Sequence, residues 1–292
     1  MSLQGGLGIE RMCLLAGISR AAFYRYLRAQ DPWEEEMGVR SEVQRIALEH
    51  QGRYGYRRIT AELRRQGMAV NHKRVARLIR EDNLVGTELQ LSLDNLTGQR
   101  DHGEIYVNLA NRLKLTGPNQ VWVADITFVR LKREFVYLAV VLDKLSLKVV
   151  GWSLDRTLTA RLPLAALDMA LESRSPVTGL VHHSDRGVQY AHAEYLRTLR
   201  NHGVIPSVSR LGRPYDNGNC ERFFRTLKPE EINTKEYKDL EDLRLHIAEF
   251  IERYYNQKRL HSALGYLSPT EFERTTVSSD AASIADMGQL KI

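Results

Sequence analysis

Residues 121–131 read VWVADITFVRL, and one residue stands apart from its neighbours. Apolar side chains occupy both alternating faces, the pattern of a central strand covered on both sides. Asp125 interrupts it midway. An ionised carboxylate there is costly unless it is paired or bound. It is either satisfied by backbone amides or an arginine, or it is a ligand for a metal ion.

The surrounding chain builds a sheet around that strand. Lys132 and Arg133 turn the chain, EFVYLAVVLD (134–143) returns, and LKVVGWSL (147–154) follows a second short turn. Two tight links predict three sequential antiparallel strands. A Leu- and Ala-rich helix comes next, with Pro163 in its first turn. It crosses over to a fourth strand, GLVHHSD (179–185). The helix AEYLRTLRNHG (193–203) and a fifth strand, VIPSVS (204–209), lead to the Gly/Pro/Asn loop RLGRPYDNGN (210–219). A helix over 217–228 ends at Pro229, and LEDLRLHIAEFIERYYN (240–256) forms another. The order predicts an α/β domain, a mixed sheet with helices on its faces.

Two more acids fall where that sheet would place a ligand. Asp185 follows the fourth strand at its carboxyl end, where open α/β sheets bind ligands; a plain turn aspartate is the simpler reading. On the 217–228 helix, Cys220, Phe223, Phe224 and Leu227 share an apolar face, and Glu221, Arg225 and Lys228 form the neighbouring stripe. A surface ion pair from Glu221 to Arg225 explains that spacing. The sharper reading turns Glu221 toward the sheet end, with Arg222, Arg225 and Lys228 lining a phosphate path. Carboxylates converging at a strand end form a hard-oxygen site for Mg2+ or Mn2+. Two such ions about 4 Å apart activate a water or a 3′-hydroxyl and stabilise the leaving oxygen of a phosphodiester.

Other polar residues have plainer roles. Asp143 reads as a turn-capping acid. His183 is a phosphate contact, a support for Asp185 or a packed strand histidine. Asn217 and Asn219 cap the Glu221 helix or touch DNA. Cys220 reads as a small core residue. Arg259 and His261, in NQKRLHSALGY (256–266), serve structure or DNA beside a closing helix.

The bulk numbers narrow the partner. A chain of 292 residues, 43% hydrophobic and 27% charged, builds a sizeable core and a smaller domain or two. No apolar run approaches the roughly 18 residues of a membrane span. The start, MSLQGGLGIERM, lacks the apolar core of a secretion signal. Cys13 and Cys220 form neither a disulfide framework nor a Cys-rich zinc site. A cytoplasmic location is the default expectation. The net charge is +6, and it is unevenly spread: Gly52–Arg80 holds nine Lys or Arg against one acid, Glu62. A one-sign block of that density favours phosphate binding. Around it the helical pattern repeats. Residues 9–29 read as two short helices broken at Gly17, with Ser19 as N-cap, and 31–37 as an acidic joint. Residues 39–50 form an amphipathic helix burying Val39, Val43, Ile46 and Ala47. A helix closed by Gly67 follows, and Asn71 caps HKRVARLIRED, which buries Val75, Leu78 and Ile79. Arg57, Arg58, Lys73, Arg74, Arg77 and Arg80 are the candidate DNA contacts of this helix-turn-helix unit.

Asp185 and Glu221 are separated by 35 intervening residues, the Asp, Asp, 35, Glu spacing of retroviral integrases and related transposases. NQVWVADITFV, HHSDRGVQYAHAEY, RPYDNGNCERFFRTLKPEEI and YYNQKRLHSALGYLSPTEF resemble the catalytic domain of insertion-sequence-three family transposases, in particular their second-reading-frame product. RYGYRRITAELRRQGMAVNHKRVARLIRE resembles the helix-turn-helix segment preceding it. The resemblance covers roughly residues 10–275. It implies a ribonuclease-H-like fold and a metal-dependent DNA strand transferase. Asp125, Asp185 and Glu221 would be its metal ligands, Mg2+ its cofactor and Mn2+ a substitute. Its partners would be the element's ends, target DNA, further copies of the chain and a first-reading-frame product. The domains expected are a helical segment (1–30), a basic helix-turn-helix domain (31–85), a linker (86–118), the catalytic domain (119–275) and a flexible tail (276–292). The zinc domain of retroviral integrases and a heptad zipper are both missing from the pattern. A nuclease of the same fold that never joins strands, and a non-enzymatic DNA-binding regulator, are the alternatives.

Overall fold

A computed structural model describes residues 9–276, apart from 22, 25–33, 83, 85–109, 111–112, 133, 186 and 210–216; for residues 12, 34 and 35 it describes the backbone alone. The linker expected over 86–118 lies mostly outside the described residues, as does the tail beyond Thr276. The chain divides into two units, Met1–Glu88 and Leu89–Ile292.

In the first unit the described elements are α1 (Ile9–Leu15), α2 (Glu34–Glu49), α3 (Tyr56–Arg65) and α4 (His72–Glu81). Gly17 breaks the chain after α1 with φ +65°, a left-handed conformation that glycine adopts without strain. Helix α2 begins inside the expected acidic joint rather than at Val39. Glutamates in a first turn suit the positive end of the helix dipole, so the acidic run starts the helix instead of preceding it. Val39, Val43, Ile46 and Ala47 of α2 pack with Ile59 and Leu63 of α3 and with Val75, Leu78 and Ile79 of α4, all buried. The Asn71 carboxamide accepts from Lys73 N at 2.9 Å and caps α4. At the other end of α4, Arg40 binds both Glu81 and Asp82, and Gln44 donates to Asp82 at 2.8 Å.

The second unit is built on β1 (Val121–Arg130), β2 (Phe135–Asp143), β3 (Val149–Asp155), β4 (Val181–Ser184) and β5 (Ile205–Val208). Their order in the sheet is β3-β2-β1-β4-β5. The first three strands pair antiparallel, while β4 joins β1 and β5 joins β4 in parallel. Two helices supply the crossovers that parallel pairs require, α5 (Arg161–Arg174) and α6 (Ala193–Asn201). Helix α5 lies directly on the sheet because Gly151 has no side chain: a Cβ there would sit 2.0 Å from Ala166 O. Trp122, Ala124, Ala139 and Val141 meet Leu162, Ala166, Leu167 and Ala170 in that layer.

The C-terminal elements close the unit. Helix α7 (Gly218–Glu230) packs on β1 and β2. Helix α8 (Leu240–Ala248) runs on into a π-helical turn, Glu249–Tyr255, where one regular helix was expected. The wider turn buries the adjacent pairs Phe250–Ile251 and Tyr254–Tyr255 together. Asn256 then takes the place of a neighbouring strand: it accepts from Val149 N at 3.0 Å and donates to Val149 O at 2.9 Å. Arg174, Lys148 and Ser146 all bind Glu273, which ties the helix over 269–276 to α5 and to the β2–β3 turn. Asp143 caps that turn as expected, accepting from Leu145 N at 3.0 Å and Ser146 N at 2.8 Å.

His182, on central strand β4, is fully buried with Nε2 3.0 Å from the Tyr195 hydroxyl. Burial, and then the neighbouring His183, lower its pKa to about 3. It is neutral in the folded protein, while the unfolded chain protonates near pH 6.5. Stability from this group is therefore complete above pH 6.5 and declines as pH falls toward 3, by up to about 1.4 kcal/mol per pH unit. Asp125, whose pKa is raised to about 8, contributes the opposite slope over this range in wild type and variant alike. The test is therefore the difference: in urea denaturation at pH 7, 6 and 5 the stability of wild type relative to His182→Gln should fall as the pH falls. An unchanged slope in the variant would place the acid sensitivity elsewhere.

Candidate active site

Parallel pairing brings the two aspartates together. Val121, Trp122 and Val123 of β1 pair with Val181, His182 and His183 of β4. Carried two residues further, that register sets Asp185 level with Asp125 on strands about 4.8 Å apart. Asp125 Oδ1 accepts from Ile126 N at 2.8 Å. Asp185 Oδ1 accepts from Gly187 N at 2.9 Å, in a tight loop where a Cβ on Gly187 would lie 3.0 Å from that oxygen.

Glu221 arrives from the first turn of α7. Cys220, Phe223 and Leu227 bury one face of this helix. Two asparagines fasten its start: Asn217 Nδ2 donates to Ala124 O at 2.9 Å, and Asn219 Nδ2 donates to Lys144 O at 3.1 Å. The expected cap is not made by Asn217, since α7 has no side-chain cap. Its amide is spent on β1 instead. The helix also continues past Pro229 to Glu230. Proline there removes only the bond to Arg225 O, on the exposed side of the last turns, where water can replace it.

The electrostatics report the same gathering. Asp125 is partly open to solvent, but the atoms around it are dense. Burial first, then the charge of Asp185 and, less strongly, that of Glu221 push its pKa up to about 8, against the Ile126 hydrogen bond. Asp185 is raised by burial, although its side chain reaches the surface and the Gly187 hydrogen bond opposes the shift. Burial holds the Cys220 thiol well above its ordinary pKa, and Asp125, Asp185 and Glu221 add to the effect. That environment suppresses a thiolate, so Cys220 is a core residue and no nucleophile. The charges of Asp185 and Glu221 thus both reach Asp125, and all three acids offer oxygen donors. Among the described residues no three His, Cys, Asp or Glu side chains close into a metal-ligand cluster. The acids are gathered but not drawn tight.

The other candidates separate clearly. His183 is a packed strand histidine: Nδ1 is 2.9 Å from Ser207 Oγ and Nε2 3.1 Å from Ser209 Oγ, and none of the ring reaches solvent. Arg222 and Arg225 are exposed on α7, and Arg225 also makes the simpler ion pair with Glu221 at 3.7 Å. Lys228 Nζ lies 5.0 Å over the Phe128 ring. Arg259 is structural; it is buried and makes two hydrogen bonds to Glu230, at 2.8 and 2.6 Å. The sequence left Arg259 between structure and DNA; the structural reading holds, and Glu230 is the partner the sequence did not name.

Integrase core domain models match residues 116–214 and 202–269, and an HTH-like domain model matches 33–87. The transposase of insertion sequence element IS904 from Lactococcus lactis is 38% identical over 235 residues, which is 80% of this chain and 92% of that protein. The chain belongs to the IS3 family of transposases. Transposase InsF of insertion sequence IS3A from Escherichia coli K12 is 34% identical over 281 residues, 94% of this chain and 97% of that one. Among solved structures, the HTLV-2 integrase catalytic core domain in complex with magnesium is 17% identical. That match covers 54% of this chain and 97% of that chain, with a TM-score of 0.43. The five-stranded sheet, in the order β3-β2-β1-β4-β5, belongs to the region matched by the integrase core domain models. No helix among the described residues is long and apolar enough to cross a membrane.

In the first unit, Gly55 and Tyr56 of the α3 start and His72, Lys73, Ala76, Ile79 and Arg80 of α4 line a cleft of about 620 Å3. Of the basic residues expected to meet DNA, Lys73 and Arg80 face this cleft. Arg77 binds Glu36 at 2.7 Å and Glu81 at 3.0 Å instead. Arg57 donates to the Tyr56 hydroxyl at 3.1 Å, and Arg58 lies over the Tyr54 ring. Arg74 is half-buried on α4.

The Arg259–Glu230 pair makes a clear stability prediction. Arg259→Leu removes both guanidinium bonds from the largely enclosed Glu230 carboxylate and should cost about 3–5 kcal/mol. Replacing Glu230 by Met as well should recover most of that loss in a denaturant titration. A single variant within 1 kcal/mol of wild type, on the order expected for a surface pair, would contradict the buried anchor.

Proposed function

We propose that this transposase cuts DNA at the ends of an insertion sequence and joins the freed ends to another strand, with Asp125, Asp185 and Glu221 as the metal-binding residues. The observation that supports the reading is that Asp185 and Glu221 both raise the cost of ionising Asp125, midway along β1. Like charges held together call for a cation. Their oxygen-only donor set fits Mg2+, or Mn2+ in its place. Two such ions, when bound, supply activation of the attacking oxygen and stabilisation of the leaving oxygen.

The chain's own residues do the rest. Asp125 and Asp185 hold their positions through the parallel β1–β4 pairing, and Glu221 completes the set from α7. Arg222, Arg225 and Lys228 continue along that helix and carry the phosphates of the substrate strand. In the first step water bonds to phosphorus, the P–O3′ bond breaks and a 3′-hydroxyl is released. In the second, that hydroxyl oxygen bonds to another phosphorus as a further P–O3′ bond breaks. One phosphodiester replaces another, so joining needs no external energy source. The protein forms no covalent link, in keeping with the suppressed Cys220 thiol.

Lys73 and Arg80, with Arg57, Arg58 and Arg74 around them, bind the DNA backbone through the helix-turn-helix unit. The paired ends of an element call for more than one copy of the chain on DNA, and a first-reading-frame partner or fused segment would add end recognition.

The deciding experiment incubates the protein and Mg2+ with an oligonucleotide bearing an element end, separating cleaved from joined products. Wild type should give both; Glu221→Gln and Asp125→Asn should lower both by about 1,000-fold or more, since removal of one electrostatic element at a catalytic centre has effects of that order. Cleavage without joining would make the protein a nuclease, and full activity in Glu221→Gln would remove Glu221 from the site.

A second test addresses binding. Lys73→Ala should reduce the slope of log K against log salt by about 1, as expected on losing one phosphate contact. Arg77→Ala, whose guanidinium is already ion-paired, should change it by less than half as much. Equal slopes for the two variants would contradict the assignment.

A further inference from the structure

Asn217 behaves unlike an ordinary residue at a helix start. Asparagine is among the best N-caps because its side-chain oxygen accepts from the first free amides of the helix. Asn217 occupies that position on α7 and makes no such bond. Its carboxamide is buried, and Nδ2 reaches 93 residues back along the chain to donate to Ala124 O at 2.9 Å. Ala124 O only accepts, so the orientation of the amide is fixed by its partner. Among the described residues Oδ1 is buried and meets no hydrogen-bond donor. The side chain therefore gives up local capping and leaves an acceptor unsatisfied in order to make one long-range contact.

The two ends of that contact are informative. Ala124 directly precedes Asp125, and Asn217 lies one helical turn before Glu221. One hydrogen bond thus links the strand bearing the first acid to the start of the helix bearing the last. The bond from Asn219 to Lys144 O holds the same helix against the β2–β3 turn, away from Asp125. We infer that Asn217 is a positioning residue for the strand-transfer reaction, setting Glu221 against Asp125 through Ala124 O. The inference rests on the proposed role of the three acids. Asn217 touches neither substrate nor metal in this role; it sets the spacing of groups that do.

Serine separates this role from capping, because it caps a helix as well as asparagine does but is too short to reach Ala124 O. Asn217→Ser and Asn217→Ala should both fold, bind element-end DNA with unchanged KM and lose about 100-fold in kcat, the order expected for a misplacement near 1 Å. Their thermal stabilisation by Mn2+, followed without DNA, should need about tenfold more metal, as when a residue supporting a metal ligand is lost. Full kcat and an unchanged Mn2+ midpoint in Asn217→Ser would show that the bond to Ala124 O does not set Glu221 and overturn the inference. So would a loss of kcat that only tracks the folded fraction, with the Mn2+ midpoint unmoved. If wild type itself fails to join strands, the reading of the reaction falls first. The Mn2+ midpoints, with Asp125→Asn as the variant that abolishes the shift, then still decide whether Asn217 spaces the acids.

Discussion

Like charges repel, and Asp125, midway along an apolar strand, carries the influence of two further acids, Asp185 and Glu221. The β1–β4 pairing makes that possible, because its parallel register, carried two residues past the Val123–His183 pair, brings Asp185 level with Asp125. The cost is visible in Asp125, whose burial and acidic neighbours make ionisation unfavourable. Much of the remaining architecture resists the resulting tendency to spread. Gly187 holds the Asp185 loop, and the apolar face of α7 is locked beneath Glu221.

The C-terminal segment acts as a brace for that arrangement. Arg259 grips Glu230 at the far end of α7, Asn256 completes the edge of β3, and Glu273 gathers Arg174, Lys148 and Ser146. Helix α7 is thus held at both ends: asparagines fix its start to the sheet and an arginine fixes its end to the brace. A rigid helix is a better platform for Glu221 than a loop, since catalytic geometry tolerates little displacement. The basic helical unit is organised differently. Its ion pairs use Arg40 and Arg77 to hold α2 against α4, which divides its cations between those that build the fold and those that face the cleft.

Much of this was legible in the sequence. The five strands follow from apolar runs bounded by turn residues, and their antiparallel and parallel pairings from the lengths of the connections. Asp125 stood out because an acid in an apolar strand needs a reason, and Asp185 because it follows a strand end. What was hidden depends on partners distant in the chain. Asn217 reads as a cap because capping is the local use of asparagine, yet its partner is Ala124. Asn256 and Arg259 give no signal of their roles until the sheet edge and α7 are beside them. The π turn was also unreadable, since the pairs Phe250–Ile251 and Tyr254–Tyr255 suit a regular helix almost as well. In α4 charge alone made Arg77 equivalent to Lys73; Glu81 one turn on and Glu36 from another helix separate them.

The central claim is that Asp125, Asp185 and Glu221 share a metal. Its most direct test is anomalous diffraction from crystals of the full chain soaked in Mn2+, with Asp125→Asn crystals treated alike. The account predicts a manganese peak within about 2.5 Å of carboxylate oxygens of both aspartates, the distance range of hard cations. Glu221 should turn toward the same site, and the peak should be lost in the variant. Manganese bound elsewhere, or an equal peak in Asp125→Asn, would contradict the claim.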